Sequence, residues 1–141
     1  MLPGTLVDLR LAERADLPML AAWLNDIDVN GEFEPFAQSS LSDVERDFEA
    51  KPDERWWIVQ AKDGTPVGHV GHGKADGGCW IGYVLVPGER GKGYGSEAVL
   101  LIVDYLFLHK EIGRIQAETH PANVASQRVL DLMDKGTKRP D

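Results

Sequence analysis

Apolar and polar positions alternate strongly in several stretches. From 5 to 11, Leu6, Val7, Leu9 and Leu11 are interleaved with Asp8 and Arg10, which predicts a first strand. A second strand is expected over 56–61 and a third over 66–73, the latter carrying Val67 and Val70. Lys62-Asp63-Gly64-Thr65 joins them with the Asp-Gly signature of a hairpin turn. Gly68, Gly71 and Gly73 in the third strand predict a bulge or a close backbone approach. Asp76-Gly77-Gly78 turns the chain into an apolar run over 80–86, a buried fourth strand.

Helical spacing occupies the remainder. Leu17, Leu20, Ala21 and Leu24 form a stripe, with Asp16 as expected N-cap and Pro18 in the first turn. Positions 25–38 are expected to form a loop. Ser42-Asp43-Val44-Glu45 has the pattern of a capping box opening a short helix with Val44 and Phe48 on one side. The segment 96–110 has a broad apolar face (Ala98, Val99, Leu101, Ile102, Tyr105, Leu106) and a stop at Gly113. A fifth strand is predicted over 114–119 and a final helix from Asn123 to about Met133. Hairpin-linked strands followed by a crossover helix between the fourth and fifth make a mixed α/β sheet with helices on both faces.

Composition narrows the function classes. The 141 residues suffice for one domain with a real core, 1–141, and not for two. With 43% hydrophobic and 27% charged residues, an ordinary soluble globule is expected. A net charge of −8 argues against a general nucleic-acid binder. It suits cationic or amine substrates, though acidity also serves solubility. The lone Cys79 allows no internal disulfide and is expected to be a small core residue. Met1-Leu2-Pro3-Gly4 lacks the features of a signal peptide, and no run is long enough to span a membrane, so a cytoplasmic location is expected.

The densest chemical signal is Arg90-Gly91-Lys92-Gly93-Tyr94-Gly95-Ser96, between the fourth strand and its following helix. Strand, glycine turn and helix together make a phosphate site, because glycines admit close approach and the first helical N–H groups are unpaired. A plain connector needs one or two glycines; here three stand at alternate positions with two cations. The P-loop pattern fails because Lys92 is followed by Gly93. A dinucleotide fingerprint fits loosely as Gly93-x-Gly95-x-x-Ala98, with Glu118 about 20 residues on. Arg90-x-x-Gly93-x-Gly95 fits a third pattern in full, and it resembles the coenzyme A pyrophosphate loop of the GCN5-related N-acetyltransferases (GNAT).

A second stretch carries the same resemblance. The fifth strand is followed by Asn123-Val124-Ala125-Ser126-Gln127-Arg128-Val129-Leu130, similar to the ribosomal-protein amino-terminal acetyltransferases and their small-molecule relatives. The resemblance implies an acyl-CoA N-acyltransferase fold with acetyl-CoA as co-substrate and no metal. It implies that backbone N–H groups of Gly91, Lys92, Gly93, Tyr94, Gly95 and Ser96 hold the pyrophosphate; the residues themselves add charge there through Arg90 and Lys92. Val84, Leu85 and Val86 would pair with the pantetheine, and the Asn123 side chain would contact it. Ser126 would donate to the departing thiolate; as an alternative it is an ordinary helical serine. Many relatives use a Tyr seven residues after the Asn, where this chain has Leu130.

The acceptor side is less defined. Where close relatives carry a Glu before Ile-Gly-Tyr, this chain has Trp80. His69 and His72 are three apart, which places them on opposite faces of a regular strand and argues against a shared metal site. His69 is a candidate substrate residue, as are Glu32 and Glu34 in the loop that walls the acceptor site in the family; the alternatives are a surface histidine and solvated loop charge. The implied reaction is direct acetyl transfer to a primary amine, on a small molecule or a peptide amino terminus. The alternatives are a catalytically incomplete coenzyme A-binding module and a dinucleotide-binding fragment. The family pattern continues with Gly-Phe and two more strands, which positions 131–141 do not show. Five strands are therefore expected, with self-association through the edge of the fifth.

Overall fold

The computed structural model describes residues 1–30, 38–51, 53–75, 78–109 and 115–116. They form one sheet in the order β1 (Leu2–Pro3), β2 (Val7–Leu11), β3 (Arg55–Ala61), β4 (Pro66–Ala75), β5 (Gly78–Leu85) and β6 (Ile115–Gln116). Neighbours are antiparallel except β5 and β6, which pair in parallel through Cys79↔Ile115 and Trp80↔Gln116. The five expected strands are β2 to β6. The two-residue β1 is additional, since it is too short to show a period.

The two faces are covered by different helices. On one, Leu9 of β2, Val59 of β3, Val70 of β4 and Ile81 of β5 pack against Ile102 and Leu106 of α4 (Tyr94–His109). On the other, Ile58 packs against Leu17 and Leu20 of α1 (Leu17–Leu24), with Val44 and Phe48 of α3 (Leu41–Ala50) beside them. Each fully buried side chain of this size contributes about 1.5–3 kcal/mol. Cys79 lies in the α4-side core, with burial raising its thiol pKa, which keeps it protonated and inert.

The bulge expected in β4 lies at its start. Val59 pairs with Gly68 but Gln60 pairs with Pro66, so Val67 is the extra residue. Val67 and Val70 therefore both reach the α4-side core despite their odd spacing. Beyond Gly68 the ladder is regular, so His69 and His72 point to opposite faces as their spacing requires.

Two helix starts differ from the sequence expectation, and a third lacks its side-chain bond. Asp16 ends a 3-10 turn, Arg14–Asp16, and stands at the N-cap position of α1 as expected, but its carboxylate bonds Arg10 at 2.8 and 2.9 Å rather than an N–H of the helix. The helix α3 opens two residues early: Ser40 Oγ accepts from Asp43 N at 3.0 Å, and Asp43 Oδ2 accepts from Ser40 N at 3.1 Å. The helix after the glycine turn begins at Tyr94 rather than Ser96. Part of the expected loop forms the short α2 (Ile27–Asn30). No helix among the described residues is long and apolar enough to cross a membrane. The final helix and most of the fifth strand's expected open edge lie outside the described residues.

Candidate active site

The glycine turn is assembled by β5 and α4. Val86 N donates to Val67 O at 2.9 Å, holding the chain to the sheet until Pro87–Glu89 turns it. Gly91 and Gly93 have φ of +79° and +83°, the left-handed region that L side chains avoid. The first intrahelical bond of α4 runs from Glu97 N to Gly93 O at 3.1 Å, which leaves the N–H groups of Tyr94, Gly95 and Ser96 without an intrahelical acceptor. They stand at the positive end of a 16-residue helix, and a Cβ built on Gly91 meets nothing within 4 Å. The residues present fit a pyrophosphate.

The two cations of the turn differ in role. The Arg90 guanidinium is held by backbone carbonyls: Nη2 donates to Asp28 O at 2.9 Å and Val29 O at 3.0 Å, and Nε to Leu85 O at 3.2 Å. It ties α2 to the end of β5, and the residue stays exposed beside the turn. Lys92 Nζ donates to Glu89 Oε2 at 2.9 Å, and that carboxylate raises its pKa. Gly95 is also a packing residue. A Cβ there would lie 3.1 Å from Tyr83 Cε2 and 3.2 Å from Leu85 Cδ1, so the glycine seats α4 against β5.

Sequence reasoning missed Glu97. Its Oε1 accepts from Leu6 N at 2.8 Å and Val7 N at 2.9 Å, fixing the first turn of α4 to the start of β2. An acidic residue in a helix's first turn is an ordinary dipole partner, so nothing local marks this tie.

On the opposite face, His69 lies directly across from Val84 of β5 and Ile58 of β3. Its ring stacks on Trp23 (centroids 6.1 Å apart, 17° between planes) and meets Trp56 edge-on at 5.2 Å. It forms the floor of a pocket of about 150 Å³ between α1, α3 and the sheet. Leu17, Leu20, Val44 and Phe48 wall this pocket, with Asp47, Lys51 and Glu54 at its rim. The residue as a whole is half-buried, but its Nδ1 is out of water and has no hydrogen-bond partner among the described residues. Burial lowers its pKa to about 4, so the ring is neutral at pH 7. His72, by contrast, is buried under α4, where its Nε2 accepts from Trp57 Nε1 at 3.0 Å.

The His69 shift has a consequence for stability. Its folded pKa, about 4, lies below the ordinary value of 6.5, so the unfolded chain takes up the proton first as pH falls. The contribution is full above about pH 6.5 and is lost toward pH 4. At pH 5 the loss is at most about 2 kcal/mol, and less where water reaches the ring edge. Urea titrations at pH 7 and 5 should show this loss in the wild type and not in His69→Phe; parallel losses would assign the acid sensitivity elsewhere.

Gly71 and Gly82 face each other beside His69 and Val84, so no side chain rises from the sheet between that pair and Trp80. The Trp56 ring covers Gly71, where a Cβ would lie 2.5 Å from Cζ3, while Gly82 is open. Trp80 stands 6.1 Å from Trp56, so the two rings form an aromatic wall on this face. Glu32, Glu34, Asn123 and Ser126 lie outside the described residues.

The Acetyltransferase (GNAT) domain family matches residues 7–133. A probable N-acetyltransferase of Bacillus subtilis (strain 168) is 45% identical over 53 residues, 38% of this chain and 29% of that protein. The chain spans less than half the length of this relative and of an uncharacterized N-acetyltransferase of Bacillus licheniformis, of which 46% is matched. The aminoglycoside N(6')-acetyltransferase type 1 of Klebsiella pneumoniae is 30% identical over 149 residues, 89% of this chain and 71% of its own length. Among solved structures, AAC(6')-Ib in complex with ribostamycin and coenzyme A superposes with a TM-score of 0.75 at 28% identity, over 92% of this chain and 82% of the other. The family match begins at the first residue of β2 and runs through the glycine turn and well past β6: the chain belongs to the GNAT acetyltransferase family.

Proposed function

We propose that this protein is an acetyl-CoA-dependent N-acetyltransferase acting on the primary amine of a small molecule. The observation that carries the reading is the pair of left-handed glycines, Gly91 and Gly93, opening α4 at the end of β5. In it, the N–H groups of Gly91 to Ser96 bind the pyrophosphate. The backbone of Val84, Leu85 and Val86 pairs with the pantetheine, and Asn123 contacts the same arm. The amine nitrogen attacks the thioester carbonyl, and a β5 backbone N–H meets the negative charge that develops on its oxygen. The C–S bond then breaks and the thiolate takes a proton from Ser126, whose hydroxyl regains one from solvent as the attacking nitrogen loses its own to solvent or a base. Holding the reactants in line supplies much of the acceleration.

The relatives named for aminoglycosides support a small-molecule acceptor. The narrower placement beside the ribosomal-protein enzymes draws no support from them, nor does a peptide amino terminus. Self-association is likewise without support.

Calorimetry with acetyl-CoA, NAD and ATP tests the reading: acetyl-CoA alone should bind, and a preference for NAD or ATP would overturn it. An amine panel then separates an enzyme from a coenzyme A-binding module. Given turnover, Ser126→Ala should lower kcat about tenfold or more while leaving the KM for acetyl-CoA nearly unchanged. An unchanged kcat would leave Ser126 an ordinary helical residue.

A further inference from the structure

The two faces of β5 differ. Toward α4 the strand is filled: Ile81 is buried there, Tyr83 packs against the same core, and Gly95 of α4 closes on Tyr83 and Leu85. Toward α1 and α3 the strand presents Trp80, Gly82 and Val84 in turn, since alternate residues share a face. Gly82 is exposed, and a Cβ built on it meets nothing within 4 Å.

The residues around Gly82 rise above it. The Trp56 ring lies over Gly71, its direct partner on β4. The Trp80 indole leans over Gly73, where its Nε1 would lie 2.7 Å from a built Cβ. Val84 stands on the other side. Trp80 and Val84 are each two residues, or about 6.6 Å, along the strand from Gly82. Together they leave a slot as wide as the one side chain that is missing. Its floor is Gly82, its walls are apolar and aromatic, and it opens on the edge of β5. That edge is free: β6 pairs with β5 at Cys79 and Trp80, and among the described residues no strand lies beside 81–85.

The direction of the donor arm gives the slot its role. The arm starts at the glycine turn, beyond Val86, and passes along Val86, Leu85 and Val84, so its far end, the thioester, comes level with Gly82. An amine must reach within about 3–3.5 Å of the thioester carbon. The α4 face is closed and the edge holds the arm, which leaves the approach over Gly82. The walls suit the carbons next to the amine and keep charged or hydroxylated parts of the acceptor outside, in water.

We infer that Gly82 is a specificity-determining residue: the side chain missing there is the space through which the acceptor amine reaches the thioester, and Trp56, Trp80 and Val84 limit the width of the group that enters. The inference rests on the acetyltransferase reading and locates its acceptor.

Cys79 is the chain's sole cysteine and is buried, so Gly82→Cys supplies the one thiol that a reagent in solution reaches. The full chain carrying Gly82→Cys is labelled with benzyl methanethiosulfonate, checked by mass, and later reduced with dithiothreitol. Initial rates of acetylation are measured with ethylamine, spermidine and kanamycin. Labelling should lower the rate at least tenfold, reduction should restore it, and the Kd for acetyl-CoA should stay within about threefold throughout. A variant already silent before labelling, with that Kd preserved, is the same result with a smaller plug. Gly82→Leu, the permanent form, should lose acetylation and keep acetyl-CoA binding, with its fold checked by circular dichroism. A thiol at this position that does not react, or a labelled chain as fast as the unlabelled one, overturns the inference. Loss of acetyl-CoA binding in step with the rate also overturns it, since the slot would then serve the donor. The wild type decides the underlying reading by itself. Failure to bind acetyl-CoA removes the acetyltransferase function, and binding without turnover of any of the three amines leaves a coenzyme A-binding module; either outcome removes the acceptor slot as well.

Discussion

Gly68→Ala is expected to displace β5 from β4, lowering stability by about 3 kcal/mol or more. A Cβ at this position would lie 2.1 Å from the Val84 carbonyl oxygen, and 3.0 and 3.1 Å from Leu85 Cδ2 and Cα. Two of these atoms are backbone and cannot rotate away, so the strands must part. The neighbouring bulge at Val67 has already used the local freedom of β4. The backbone that would move, Val84 and Leu85, is the segment assigned to pantetheine, so any folded fraction should also bind acetyl-CoA poorly. Gly82→Ala is the matched control: it lies in the same pair of strands, but nothing stands within 4 Å of its Cβ. Urea unfolding of the two variants should separate them by more than about 2 kcal/mol. Similar midpoints would mean that β4 and β5 tolerate a wider spacing at Gly68.

The strands and the glycine turn were legible because each is written in contiguous residues. Alternation places β2 to β5, and the odd spacing of His69 and His72 assigns them to opposite faces. What failed to show was settled by residues distant in sequence. Two capping boxes overlap at 40–45, and the earlier one forms because Asn25 grips Ser39 through bonds of 2.7 and 2.8 Å, fixing the chain's entry into α3. Asp16 stands at the N-cap position of α1 without a side-chain bond to the helix, because Arg10, on β2, holds both its oxygens. Nothing around Arg90 in the sequence shows that its guanidinium reaches the carbonyls of α2, 61 and 62 positions away. The pocket over His69 joins α1, α3, β3 and β4, and no single stretch announces it.

Gly93→Val is expected to raise the Kd for acetyl-CoA at least tenfold, whereas Gly88→Ala should leave it nearly unchanged. At Gly93 the obstacle is mainly conformational. The nearest atom to a built Cβ is Leu6 Cδ1 at 3.2 Å, the end of a flexible side chain that can give way. The backbone cannot, because a φ of +83° costs an L residue about 1–2 kcal/mol, and more when it is β-branched. That strain has two outlets. The turn can hold its shape, in which case the cost appears as lower stability and affinity is spared. Or it relaxes to negative φ, which rotates the peptides on either side of Gly93 and turns their N–H groups off the axis of α4. The second outlet is expected, because the turn is exposed and Gly93 is held mainly through its carbonyl bond to Glu97 N. Pyrophosphate binding needs several N–H groups converging on one anion, so losing one or two of them removes about 1.5–3 kcal/mol per charged bond, or tenfold and more in affinity. Gly88 has no positive φ and no atom within 4 Å of a built Cβ, so it isolates the effect of adding a side chain nearby. Calorimetric Kd values for acetyl-CoA, with melting temperatures measured on the same samples, decide between the outlets. An unchanged Kd in a stable Gly93→Val would show that the turn's amides do not carry the pyrophosphate.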